Sequence, residues 1–306
     1  MSNFTRIITD FSALNDRIKT NSFLNKVNEE LIRVGRAFLA FRNDEATVYY
    51  NGNQLCNLSA TNGYLPLVYN HYLPVIRSQT LRKELRKESF LEGEWLRATN
   101  LSGATFASVY DEILDNIKKE ESPESLQASR FYRFSPLNLA EEHEIVLLDV
   151  EAAFSYAGEK TDRIDLVFYH TTKRQLMFVE VKRLSDGRLF PKVDSNGNKI
   201  EEAEVIEQLT RYNNRCEGKA HAINAEYNKV ISYYNALAGR NMELIEENSK
   251  PLLGLLIVEF TRSTKDQENK KRVQAMLKDK KFKYYAVGNT SSVTPSTLTA
   301  IYNAIK

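Results

Sequence analysis

A chain of 306 residues with 42% hydrophobic content is long enough for one large domain or for a core with an extension, and its net charge of +2 excludes a global polycation. Two cysteines far apart in the chain, Cys56 and Cys216, and four scattered histidines exclude a zinc-ligand motif and a disulfide framework. No apolar run approaches a membrane span and the N-terminus lacks a signal-peptide core, which predicts a soluble cytoplasmic protein with no membrane partner.

In chain order, Phe23, Leu24, Val27, Leu31 and Val34 recur at helical spacing after an Asn/Ser cap signal, which predicts a helix over about Asn21 to Arg36. Turn signals at Asn43-Asp44 and Asn51-Gly52-Asn53 separate β-rich runs and predict a small meander from about Phe38 to Leu58. Tyr64 to Ile76 contains Pro66 and Pro74 and reads as irregular or edge structure. Its Tyr64, Tyr69, His71 and Tyr72 are either a packed cluster or a base-stacking set. Ser78 to about Arg97 reads as a charged helix. There Arg77, Arg82, Lys83, Arg86 and Lys87 form a basic stretch able to track a phosphate backbone, interleaved with Glu84 and Glu88. A further helix is predicted at about Phe106 to Glu120, then loops at Ser122-Pro123 and Ser135-Pro136.

Glu144 to Phe154 reads as a strand, with Val146, Leu148, Val150 and Ala152 on one face and Asp149 and Glu151 on the other. Two more strand-like runs follow, RIDLVFYH and QLMFVEVK, joined by the polar turn TTKR. If that turn is centred on Thr172–Lys173, the antiparallel register sets Asp165 opposite Glu180, and Lys182 shares the face of Glu180. Opposed carboxylates on a half-buried sheet repel and lose solvation, and a cation between them removes that penalty. Oxygen ligands on strands suit Mg²⁺ or Mn²⁺, with Lys182 beside the metal as a point charge for an anion. If the apolar faces of the three strands align, Asp149 and Glu151 lie on the same side and are either further ligands or exposed strand acids. Glu112, on the preceding helix, is a third residue that could complete the set.

After a polar loop from Ser185 to Lys199, whose Arg188, Lys192 and Lys199 are placed to contact a substrate, a long helix is predicted from Glu201 to about Gly239, broken near Gly218. Gln208 and Tyr212 share one face of it. A buried strand at Pro251 to Phe260, a basic helix at Lys265 to Lys280, a strand at Phe282 to Val287 and a helix at Ser296 to Ile305 complete the chain.

Asp165 followed after fourteen residues by Glu180-Val181-Lys182 resembles the PD-(D/E)XK phosphodiesterase superfamily, with Ile164 standing where that name has proline. The resemblance implies an α/β fold with a restriction-endonuclease-like mixed sheet core of order αβββαβ. Residues 101–306 would form the nuclease domain and residues 1–100 an N-terminal α+β extension of no assigned role. It also implies that Asp165, Glu180 and the carbonyl of Val181 bind Mg²⁺ and that Lys182 serves the attacking water. The helix carrying Gln208 and Tyr212 is similar to one lining the active site in recombination-type exonucleases of the same superfamily. The function implied is metal-dependent hydrolysis of nucleic acid, DNA rather than RNA, with restriction or phage defence as the setting by analogy. The alternative is a nucleic-acid-binding protein or complex subunit with this fold, inactive alone. A homo-oligomer or protein partner fits that alternative.

Overall fold

A computed structural model of the protein describes residues 4–69, 72, 89–92, 95–98, 104–120, 122–154, 162–196 and 198–306. Their contacts form two compact units. One holds residues 5–142 and 229–241, and the other residues 143–228 and 242–306 with Phe4. The fold is mixed α/β. Among the described residues no helix is long and apolar enough to cross a membrane.

The N-terminal unit opens with helices α1 (Phe11–Thr20) and α2 (Ser22–Val27). Asn21 caps α2 by accepting from the Leu24 amide, as its place ahead of the apolar stripe predicts, and the helical path continues with a π-helical turn to Ile32. Strands β1 (Ala37–Arg42), β2 (Glu45–Tyr50) and β3 (Asn53–Ser59) form the predicted meander. Both two-residue turns, Asn43-Asp44 and Asn51-Gly52, have positive φ at each position, which matches the twist of a tight hairpin. A Cβ on Gly52 would also lie 2.4 Å from the Ser125 carbonyl oxygen, so only glycine fits there.

Two expectations fail in this unit. The Pro66 segment is not at an edge: β4 (Pro66–Tyr69) lies between β3 and β6 in the order β1-β2-β3-β4-β6-β5, and the proline is tolerated because it is the first residue of its strand. The end of the expected Ser78–Arg97 helix is instead β5 (Ser89–Glu92) and β6 (Trp95–Ala98), where sheet pairing overrides a helical pattern. Residues 78–88 of that stretch, and Arg77, lie outside the described residues. Helices α3 (Ala104–Lys119) and α4 (Pro123–Ser129) follow, the first as predicted. α3 is counted with this unit, so the contacts divide the chain near residue 142 and not near 100.

The C-terminal unit is built on β7 (Ile145–Phe154), β8 (Asp162–His170) and β9 (Gln175–Arg183), an antiparallel meander. A short β10–β11 hairpin (Lys192–Val193, Lys199–Glu201) leads into α5 (Glu204–Ala238), whose residues from Lys229 on are counted with the other unit. β12 (Leu252–Val258), α6 (Thr264–Asp279), β13 (Tyr284–Val287) and α7 (Pro295–Ile305) follow. The sheet order is β13-β12-β9-β8-β7, with β12 parallel to both neighbours. Parallel pairing needs a crossover, which α5 provides before β12 and α6 after it.

β9 is buried at every position from Leu176 to Lys182, so the sheet is covered on both faces and is not half-buried as the alternation alone suggests. One face meets the start of α5 and α6, in a cluster joining Val205, Leu209, Leu255, Ile257, Val273 and Leu277. On the other face Ile305 of α7 packs over Gly254 so closely that a Cβ there would lie 2.5 Å from its side chain. The expected apolar face of β7 is interrupted. Leu147 pairs with Phe168 and Asp149 with Val167, leaving Leu148 as a bulge, so Val146 and Val150 point to opposite faces.

Candidate active site

The residues singled out from the sequence converge in the C-terminal unit. Hairpin pairing runs from His170↔Gln175 to Leu166↔Val179, and one pair further sets Asp165 opposite Glu180, as a turn centred on Thr172–Lys173 requires. Asp165 Oδ2 accepts a hydrogen bond from the Val181 amide at 2.7 Å, which ties the two strands together at the site. Glu180 and Lys182 pair across to Leu255 and Ile257 of β12, so they lie on the face covered by α5 and α6.

Both of these charged side chains are buried, Glu180 to 1% and Lys182 to 2% exposure. A buried carboxylate or ammonium is stable only when paired and hydrogen-bonded. Here they pair with each other: the Lys182 ammonium contacts Glu180 Oε1 and lies 3.3 Å from the Val181 carbonyl oxygen. The two oxygens that the resemblance assigns to a metal therefore already converge on one cation, the ammonium of their own strand. The donors are two carboxylates and a carbonyl, all oxygen, and they suit a hard cation. Among the described residues no group of three or more His, Cys, Asp or Glu side chains gathers at metal-binding spacing.

The helix behind the site is fixed by the pair read from its sequence. Gln208 Nε2 donates to the Tyr212 hydroxyl at 2.6 Å, and that hydroxyl donates to the carbonyl of Arg163 on β8. Tyr212 is fully buried, so it anchors α5 to the strand, while half-buried Gln208 keeps its carboxamide held at a defined position.

The bulge at Leu148 restores Asp149 to the face of Val167, and hence of Asp165. It is 1% exposed, accepts from the Tyr227 hydroxyl at 3.1 Å and from the Val150 amide at 2.8 Å, and is a buried acid held by α5. Glu151 takes positive φ and meets Arg163 at 3.5 Å. Glu112 is exposed on α3 and belongs to the N-terminal unit.

Asp186 was not singled out from the sequence. It caps a 3-10 turn just beyond β9 and accepts from the Arg188 guanidinium at 2.6 Å. Burial pushes its carboxyl up, but the Arg188 hydrogen bonds and the charges of Arg188 and Lys182 outweigh that and hold it below the usual carboxylate range. Its only sequence signal is the Asp-Gly-Arg turn after the strand. The cations expected to meet a substrate from this loop are already engaged: Arg188 by Asp186, Lys192 by Glu201 at 2.6 Å and Lys199 by Glu202 at 2.8 Å. Lys280 also holds Glu202, and the hydrogen bonds from the two lysines lower that carboxyl to about 2. Of the aromatic set near residue 70, Tyr64 is 1% exposed and packed, not available for stacking on a base. His71 lies outside the described residues.

Comparison of the chain with protein-family models, with curated proteins and with solved structures returned no match.

Proposed function

We propose that this protein is a metal-dependent nuclease of the PD-(D/E)XK type, with a restriction-endonuclease-like core, that hydrolyses nucleic-acid phosphodiesters, DNA in preference to RNA. The observation that carries the reading is the register: Asp165 opposite Glu180, with Val181 and Lys182 following on the same strand and a Gln208–Tyr212 helix against that face. A glutamate and a lysine on a solvated rim would not be buried together, nor would the helix beside them be braced by a tyrosine on a strand carbonyl.

Asp165, Glu180 and the Val181 carbonyl would hold Mg²⁺ or Mn²⁺. A divalent ion bound there supplies positive charge for the phosphoryl oxygens and acidifies water. Attack on a phosphodiester builds negative charge on the phosphoryl oxygens and needs mostly charge stabilisation, which Lys182 is placed to add as a localised cation. Gln208, held by Tyr212, offers a carboxamide to orient water or a phosphate oxygen, and Asp186 lies close enough to feel the charge of the lysine.

A second reading keeps the fold and removes independent activity: a subunit whose site opens only with a partner. The closed Glu180–Lys182 pair, 1% and 2% exposed, favours it. One experiment separates the two. Purified protein is incubated with plasmid DNA and with RNA in Mg²⁺ or in EDTA, beside Asp165→Asn, and Mn²⁺ binding is followed by calorimetry. The nuclease reading expects cleavage of DNA in Mg²⁺ only, loss of cleavage on the order of 10²-fold or more in the variant, and weaker Mn²⁺ binding. Mn²⁺ binding without cleavage moves the assignment to the partner-dependent subunit. Equal Mn²⁺ affinity in both proteins overturns Asp165 as a ligand.

A further inference from the structure

The charge of this chain is unevenly placed. Residues 262–283 carry nine Lys or Arg against three Asp or Glu, a net of +6 in a protein of net +2. The rest of the molecule is therefore acidic on balance. The segment spans the turn before α6, the helix itself and the turn after it.

Its structure does not neutralise this charge. Lys280 reaches Glu202, Lys270 lies over the Phe260 ring at 4.4 Å, and the Arg272 guanidinium lies over the Phe190 ring at 5.7 Å. Of its own acids, Asp266 is taken up by the Thr261 amide and hydroxyl at 2.7 and 2.6 Å, and Glu268 and Asp279 are exposed on the helix, too few to balance nine cations. Lys271, Lys278, Lys281 and Lys283 are exposed and form no salt bridge among the described residues. Lys271 and Lys278 are seven residues apart, two helical turns, and so stand on one line along the helix. Lys281 and Lys283 follow in the turn beyond the helix end and are exposed as well.

The helix is oriented by its other side. Val273 and Leu277 are buried in the cluster with Leu255 and Ile257, the β12 partners of Glu180 and Lys182. α6 therefore lies on the same face of the sheet as the candidate active site, one strand away, and turns its ammonium line outward. An ordinary solvated helix face balances its charges because like-charged neighbours cost stability, whereas this segment has three cations for every acid. A lysine-rich surface without exposed apolar anchors is also unlike the centre of a protein–protein interface, where lysine is depleted. Closely spaced exposed ammoniums match a polyphosphate backbone, which they bind by releasing its counterions.

We propose that the outer face of α6 with the turn that follows it, through Lys271, Lys278, Lys281 and Lys283, is the surface that grips the DNA phosphate backbone. The partner class rests on the nuclease reading, whereas the surface rests on charge and placement alone. These residues take over the role that the sequence suggested for Arg188 and Lys192.

The test uses the full chain in EDTA, so that binding is read without cleavage. Anisotropy of a fluorescein-labelled DNA duplex of about 25 base pairs is titrated at several NaCl concentrations for wild type, Lys271→Gln/Lys278→Gln/Lys281→Gln and Lys192→Gln/Lys199→Gln. Each phosphate contact contributes about 0.9 to the log–log salt slope, so the triple variant should lose about 2.7 of slope and on the order of 10-fold in affinity. The double variant, whose ammoniums are already paired, should match wild type. All substituted side chains are exposed, and circular dichroism confirms folding. Wild-type binding that the triple variant retains in full overturns the surface and leaves the nuclease reading intact. Binding that depends on α6, with no Mg²⁺-dependent cleavage in the separate plasmid assay, supports the surface and moves the activity to the partner-dependent reading. No binding by wild type at low salt overturns the surface.

Discussion

Glu180 and Lys182 are two residues apart on one strand, and their side chains lie on the same face and meet in the interior. Taking either ion out of water costs several kcal/mol, and the pair is tolerated because each neutralises the other. Removing one partner leaves a buried charge. Glu180→Gln and Lys182→Met alone should therefore each lower stability by about 3 kcal/mol or more, while the double variant stays near wild type. Chemical denaturation of the four proteins gives the coupling directly, and additive losses would show that the pair is solvated in solution. Lys182→Met carries a further consequence. With the ammonium gone, Glu180 and the Val181 carbonyl have lost the cation they share, so Mn²⁺ should raise the melting temperature of this variant more than that of wild type. Asp165 is different in kind: it is half-buried and accepts the Val181 amide, so its loss weakens a contact between β8 and β9.

At the scale of elements, two glycines in the C-terminal unit mark opposite demands. Gly254 on β12 exists for packing: Ile305 of α7 occupies the space a side chain would take. Gly254→Val should destabilise by about 1–3 kcal/mol through overpacking. Gly218 on α5 has open space around it and stands beside Lys219, whose φ of −138° and ψ of 22° break the helix. Gly218→Ala should stabilise by about 0.5–1 kcal/mol, because alanine favours helix and nothing is displaced. Thermal melts of both variants test this, and a destabilised Gly218→Ala would mean that the break is required by the fold. The same helix shows what spacing can reveal. The i, i+4 relation of Gln208 and Tyr212 was legible in the sequence, whereas the Arg163 carbonyl that receives the tyrosine hydroxyl belongs to a strand 49 residues away and was not.

Across the whole molecule, each compact unit contains one cysteine, Cys56 in the N-terminal unit and Cys216 in the C-terminal unit, and both are free and buried. Burial pushes the Cys216 thiol up to about 12 and raises Cys56 as well. Thiol reagents attack the thiolate, so neither should react with a disulfide probe at pH near 8 in the folded state, and both should react fully in denaturant. Rapid labelling of one site in native buffer, located by mass spectrometry, would show that its unit opens locally without global unfolding.

The sequence by itself determined the elements whose signals are local. The Asn43-Asp44 and Asn51-Gly52 turns, the β7–β8–β9 meander, the break near Gly218 and the opposition of Asp165 to Glu180 all follow from turn chemistry and from side-chain period. Tertiary structure alone decided the rest. Leu148 bulges because β7 must keep pairing with β8 while its parity changes, and an apolar residue in an apolar strand carries no mark of that. Trp95–Ala98 is a strand because a sheet neighbour, β4, is there to pair with, and Ser89–Glu92 pairs with it in turn, which outweighs a weak helical preference. Lys192 and Lys199 read as open cations until folding brings Glu201 and Glu202 beside them, whereas Lys271 and Lys278 form no salt bridge among the described residues. The choice of which charges remain available to a partner is made by long-range proximity, which residue type and spacing do not encode.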